Sequence, residues 1–390
     1  MLSVGGISGG AFNPAVGLLP IIVGETRHMT VYILAPLCGG LLSGLAFRFI
    51  MPTELPEGTF LASLGRNDST GLAQLSRKCL VEFIGTFYLC FTVACSGASS
   101  NASSYLAPIA VGGILIGQVF AGGAVSGALY NPAITFGLYV RSFNASFSPA
   151  CELLRAQLTA ANVAAYSAVQ FLGALCGGGM ARVVYGDDAL HNYAATIGYP
   201  FPGTLQGHNG KVVVGELLAT FMLMYVVLHV ATHSHNSGNS FFGLAVGFCV
   251  MAMAIAMGPK TGACMNPAVG LLSVAAGGNS RVVWVYFVGP LLGAFLAAVF
   301  FRFQCFSGDS PDGRNPKARN RFMFHAIKGK VSGAFHAYFI AVQEFSRRSS
   351  LGVRPTNYGM QRETGLEMRM SMDPRMSMNP LPGAARKDGP

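Results

Sequence analysis

Charge is what this sequence has least of. Charged residues make up 11% of the chain, against about 25% in a soluble globular domain, so an ordinary water-soluble domain is the first class excluded. The few charges are also unevenly spread. From Gln304 to the C-terminus there are 14 Lys/Arg and 7 Asp/Glu, so this tail carries most of the net charge of +10. That excess reads as the positive-inside bias of a cytoplasmic segment, and nucleic acid is not an expected partner. CxxC spacing is absent from the nine cysteines, most of which lie in apolar runs. They read as small buried hydrophobes, which excludes a disulfide framework and a metal set. There is no nucleophile–base pair and no phosphate loop, so neither an enzyme nor a cofactor is expected. Met1 opens directly into a Gly-rich stretch, without the pattern of a cleaved leader.

What is present is apolar and small. Hydrophobic residues make up 52% of the chain and there are 50 glycines, a residue enriched in transmembrane helices because it permits close helix approach. Runs of roughly 20 apolar residues, enough to cross about 30 Å of hydrocarbon, occur at Val31–Ile50, Cys79–Ala98, Ala107–Val125, Ala160–Val184, Val212–Val230, Phe241–Met257 and Val282–Phe301. An all-α, multi-pass integral membrane protein follows. Residues 51–77 read as a solvent-exposed linker and residues 304–390 as a basic, largely disordered tail. Within the tail, residues 322–345 carry apolar positions at near-helical spacing, which predicts a helix on the inner membrane surface.

The spans are organised by repeats. Asn131 follows Glu82 (in VEFIGTF) by 49 residues, and Asn266 follows Glu216 (in GELLATF) by 50. Each Asn opens an Asn-Pro-Ala triplet, Asn131-Pro132-Ala133 and Asn266-Pro267-Ala268, followed by about ten residues of mostly apolar chain. Two halves of three spans each must insert in opposite senses, an inverted repeat. A third copy lies at the N-terminus: Asn13-Pro14-Ala15-Val16-Gly17 repeats Asn266-Pro267-Ala268-Val269-Gly270, and Phe47-Arg48-Phe49 repeats Phe301-Arg302-Phe303. Residues 1–50 therefore read as the last pore loop and last span of another copy, 51–77 as the linker and 78–303 as one complete unit. The expectation is a piece of a longer tandem protein, about one and a quarter units long.

The triplet has a physical reading. Asn is a strong N-cap, and Pro at the first helical position loses no hydrogen bond and presets φ. Each triplet therefore starts a helix too short to span. Two such half-helices inserted from opposite sides meet near the midplane, where their positive dipole ends repel cations. The Asn amides can donate to a passing water oxygen and so interrupt a proton wire.

On SGALYNPAITFG, TGACMNPAVG, VEFIGTF and VGPLLGAFLAA, the region from about Leu75 to Phe303 resembles the aquaporin (major intrinsic protein) family. The resemblance implies an aquaporin-like right-handed bundle of six tilted helices with two half-helices, here with one extra N-terminal half-helix and span. It implies a homotetramer in the lipid bilayer, cytoplasmic termini, and water and small neutral solutes as the permeants. It makes Glu82 and Glu216 buried carboxylates that brace the pore loops. It also points to four residues that narrow the outer pore: Val111, Ala254, Ala263 and Val269, the last where the family commonly has arginine. A ring so apolar should be wider than usual and pass larger neutral solutes. Gly270 follows Val269, so glycerol specificity does not carry over, and Val16 repeats the replacement in the partial copy.

Lesser candidates are His233 and His235 as pH sensors, Arg347-Arg348-Ser349-Ser350 as a kinase site, Asn101-Ala102-Ser103 as a glycosylation sequon, and Cys264 as a reactive thiol. The alternative functions are a non-conducting membrane scaffold or adhesion protein of the same fold, and an ion-coupled transporter. The latter would need midplane charges that the spans lack.

Overall fold

A computed structural model of the chain describes residues 8–19, 22, 24, 28–52, 71–98, 106–142, 158–186, 208–233, 236, 239–275 and 282–305. The expected helix at 322–345, the rest of the tail beyond Cys305, most of the linker, the Asn101 sequon, His235 and the Arg347–Ser350 string lie outside the described residues.

Ten α-helices account for the described chain: α1 (Pro14–Gly17), α2 (Met29–Ile50), α3 (Leu72–Ala98), α4 (Leu106–Ser126), α5 (Pro132–Ser142), α6 (Ala160–Tyr185), α7 (Asn209–Thr232), α8 (Phe242–Thr261), α9 (Pro267–Ala275) and α10 (Val285–Cys305). Seven of them, all but α1, α5 and α9, are long and apolar enough to cross a membrane. The span expected at Cys79 begins earlier, so residues 72–77 belong to α3 and not to the linker. Arg77 helps here: its Nε donates to the carbonyl of Ala73, 3.0 Å away, and so supports the added turn. Glu82 consequently sits well inside α3, not near its start.

The two halves pack alike. α3 lies against α6, and α7 against α10, as the most extensive helix pairs, while α4 packs on α8 between them. Close approach is possible because small residues sit at the crossings. A Cβ on Gly177 of α6 would meet the carbonyl of Phe87 in α3, and one on Gly293 of α10 would meet the carbonyl of Leu217 in α7. Each half-helix is buried chiefly against the other half: α5 against α10 and then α6, and α9 against α6 and then α10. α2 stands apart. Its main contacts run to α1 and to α3, and none of its residues is buried.

Candidate pore

Each pore loop is held by a carboxylate from a neighbouring span. Glu82 is fully buried. It accepts from the backbone amides of Leu129 (3.0 Å) and Tyr130 (2.7 Å), the Ser126 hydroxyl (2.6 Å) and the Gln170 amide (2.9 Å). Glu216, also fully buried, accepts from the amides of Cys264 (3.1 Å) and Met265 (2.8 Å). In hydrocarbon these backbone groups would otherwise go unsatisfied, at several kcal/mol each. A tyrosine completes each brace: Tyr166 donates to the Ser126 carbonyl (3.1 Å) and Tyr286 to the Thr261 carbonyl (2.7 Å).

Bracing allows backbone that would not stand alone. Ala128 and Tyr130 have φ of 53° and 48°, and Ala263 and Met265 have 46° and 51°. Such left-handed residues other than glycine cost about 1–3 kcal/mol each. The repetition of the pair three and one residues before each Asn shows one loop built twice.

The two Asn residues join the loops. Asn131 Nδ2 donates to the Met265 carbonyl at 2.8 Å, and Asn266 Nδ2 to the Tyr130 carbonyl at 2.9 Å. Their Oδ1 atoms cap the half-helices by accepting from Ala133 and Ala268, both at 2.9 Å. The N-termini of α5 and α9 therefore face each other. Their 11 and 9 residues, at about 1.5 Å each, add up to about the 30 Å of a bilayer core.

A cavity of about 600 Å³ runs past this junction. Both Asn residues line it, as do Val111, Ala254, Ala263 and Val269, so the structure brings all four outer-pore candidates to one space. Cys264 lines it with a buried side chain. Among the described residues no charged side chain lines it, and Tyr130 and Phe242 are the only aromatic ones that do. Pro132, Pro267, Ala133 and Ala268 lie buried at the half-helix starts behind the Asn residues. In the partial copy, Asn13, Pro14, Ala15 and Val16 form the same cap: the Ala15 amide donates to Asn13 Oδ1 at 2.9 Å. They do not reach the cavity.

His233 follows the end of α7 and stacks on His229 at 6.2 Å, away from the cavity lining. Sequence reasoning missed Gln170, Tyr166 and Tyr286, although Tyr166 and Tyr286 occupy matching places in the spans packed on α3 and α7. It also missed Arg141. That side chain is buried at the C-terminal end of α5, lies over the Phe301 ring at 4.4 Å, and donates to the Thr232 hydroxyl and carbonyl.

Two opposed half-helices, each held by a buried carboxylate and joined by crossed Asn bonds around an uncharged cavity, define a membrane channel. The family model described as Major intrinsic protein matches residues 1–148 and 119–301, and the chain belongs to that family, whose members are channels and not enzymes. Aquaporin NIP1-1 of Oryza sativa subsp. japonica is 34% identical over 229 residues, covering 57% of this chain and 72% of its own length. Nodulin-26 of Glycine max is 30% identical over 243 residues, covering 60% and 80%. The X-ray structure of the aquaglyceroporin from Plasmodium falciparum superposes with a TM-score of 0.46 at 22% identity, over 58% of this chain and 95% of that one. The protein is thus a multi-pass membrane channel for water or small solutes.

Proposed function

We propose that the chain passes water and small uncharged solutes through the Asn131–Asn266 junction, with a selectivity region that is apolar and lacks arginine. The lining carries this reading. The cavity that holds both Asn side chains also holds Val111, Ala254, Ala263 and Val269 and, among the described residues, no charge. An ion entering it would lose its hydration shell with no compensating charge while facing two positive helix ends. Each Asn Nδ2 has two hydrogens and spends one on the opposite loop; the second can donate to a permeant oxygen. With Val269 at the arginine position, the outer pore is wider and less polar than that position commonly makes it, so solutes larger than water pass. Glu82 and Glu216 are structural braces, and the working form is a homotetramer with a pore in each protomer.

The experiment is the permeability of the purified protein in lipid vesicles to water, glycerol, urea and ammonia, measured side by side. The expected result is flux above protein-free vesicles for water and at least one larger solute. Absence of any flux would support the scaffold reading instead.

A further inference from the structure

Serines and threonines inside helices commonly return their hydroxyls to a carbonyl three or four residues back. This chain does so repeatedly. Ser76 donates to the carbonyl of Ala73, Thr86 to that of Glu82, Thr135 to that of Asn131, Ser142 to that of Tyr139 and Thr232 to that of Leu228, at 2.6–2.9 Å. Two buried hydroxyls do not. Ser96 Oγ and Thr220 Oγ1 have no hydrogen-bond partner among the described residues. Such groups are rare in folded proteins, and a water or a ligand is what commonly completes them. The two differ in place. Thr220 is fully buried in α7, one turn beyond Glu216, and is not part of the cavity wall; Ser96 is 2% exposed and is part of it.

Ser96 stands in the last turn of α3. Ala107 and Pro108 from the first turn of α4, and Gly258 and Pro259 from the last turn of α8, line the same cavity. α4 and α8 run antiparallel, since a Cβ on Gly112 would meet Met251 and one on Gly243 would meet Phe120. These three helix ends therefore share one end of the cavity. Val111 and Ala254 lie one turn further in on α4 and α8. Ser96 thus sits about 5.4 Å, one helical turn, beyond the ring of Val111, Ala254, Ala263 and Val269. Besides Asn131 and Asn266, only Ser96, Tyr130 and Cys264 carry an O–H, N–H or S–H on a side chain among the described lining residues. Tyr130 spends its hydroxyl on the Gln118 carbonyl at 3.0 Å, and a thiol is a weak donor.

We propose that Ser96 is a specificity-determining residue of the pore. Its hydroxyl turns into the lumen and bonds one end of a neutral solute that carries a hydroxyl or an amide, while the rest of the solute lies in the apolar ring one turn away. A serine hydroxyl both donates and accepts, and one staggered step about χ1 re-aims it. The ring itself offers no side-chain hydrogen bond. Water in single file keeps its bonds to the molecules ahead and behind, so it crosses such a ring without help. A longer solute with several polar groups loses bonds there, and Ser96 returns one of them. The residue therefore favours hydroxyl- and amide-bearing solutes over water. The inference rests on the conducting reading given above.

The test compares the full chain, Ser96→Ala and Thr220→Val in lipid vesicles, with glycerol as the probe solute. Glycerol and water permeability are each normalised to inserted protein. Ser96→Ala should lower the glycerol-to-water ratio about fivefold, the effect of one neutral hydrogen bond of about 1 kcal/mol. Thr220→Val removes the other unpartnered hydroxyl, away from the cavity, and should leave the ratio as it was. A ratio unchanged in Ser96→Ala, or lowered equally in Thr220→Val, overturns the inference and leaves the conducting reading standing. Water flux without glycerol flux in the unaltered protein also overturns this inference alone, whereas no flux of either defeats both. If Ser96→Ala fails to insert, Ser96→Cys takes its place with a thiol of similar shape and weaker bonding, and the same outcomes decide.

Discussion

At the scale of the residue, selectivity and stability separate. Val269 is 7% exposed and lines the cavity, so it tests selectivity. Val269→Arg should lower the ratio of glycerol or urea permeability to water permeability, measured in vesicles with protein amount determined alongside. An unchanged ratio means the outer ring is not the filter. Asn131 tests stability as well as passage, because it caps α5 and crosses to the Met265 carbonyl. Asn131→Ala should remove about 1 kcal/mol of capping and a cross-loop bond of about 1 kcal/mol, read as a lower thermal midpoint in detergent; an unchanged midpoint contradicts the assigned role. The Asn residues could be located in the sequence because Asn-Pro-Ala has one helical meaning at each occurrence, whereas the apolar ring was placed only through the resemblance to the family. Gln170 and Tyr166 could not. In an apolar span their side chains read as occasional polar guests, and only the fold shows Glu82 beside one and the Ser126 carbonyl beside the other. The left-handed Tyr130 and Met265 were hidden for a similar reason: bulky residues disfavour that region, and the carboxylates that hold them there lie roughly 50 residues away in sequence.

At the scale of the element, the unit is a half-helix, its loop and the span that braces it. Glu82→Gln and Glu216→Gln test it with little change of shape. A carboxylate accepts through both oxygens, whereas glutamine offers one oxygen and turns an NH₂ toward a backbone N–H. A bond to a charged acceptor is worth about 1.5–3 kcal/mol, so each change should lower the thermal midpoint. Glu82→Gln should lower it more, since Glu82 serves Ser126, Leu129, Tyr130 and Gln170 while Glu216 serves two backbone amides and the Thr261 side chain. Equal midpoints for both variants and the unaltered protein would show that the loops stand without their braces. Elements were largely legible, because apolar runs and triplets mark them. The exception is the start of α3, where residues 72–77 read as linker in sequence but belong to the helix in the fold.

At the scale of the whole molecule, the N-terminal unit and the complete bundle have different relations to the cavity. α1 and α2 contribute no residue to it, and α2 touches the bundle mainly along α3. A protein beginning at Leu72 should therefore insert and conduct like the full chain; normal insertion without water flux would make residues 1–71 part of the working pore. The central claim is a pore that conducts water and blocks protons by geometry alone, with two positive helix ends and two Asn amides at its centre. The most direct measurement follows osmotic shrinkage and internal pH together, in vesicles holding the purified protein under a proton gradient. The account predicts water flux above that of protein-free vesicles with a proton leak no greater than theirs. Water flux accompanied by a matching rise in proton flux would contradict it.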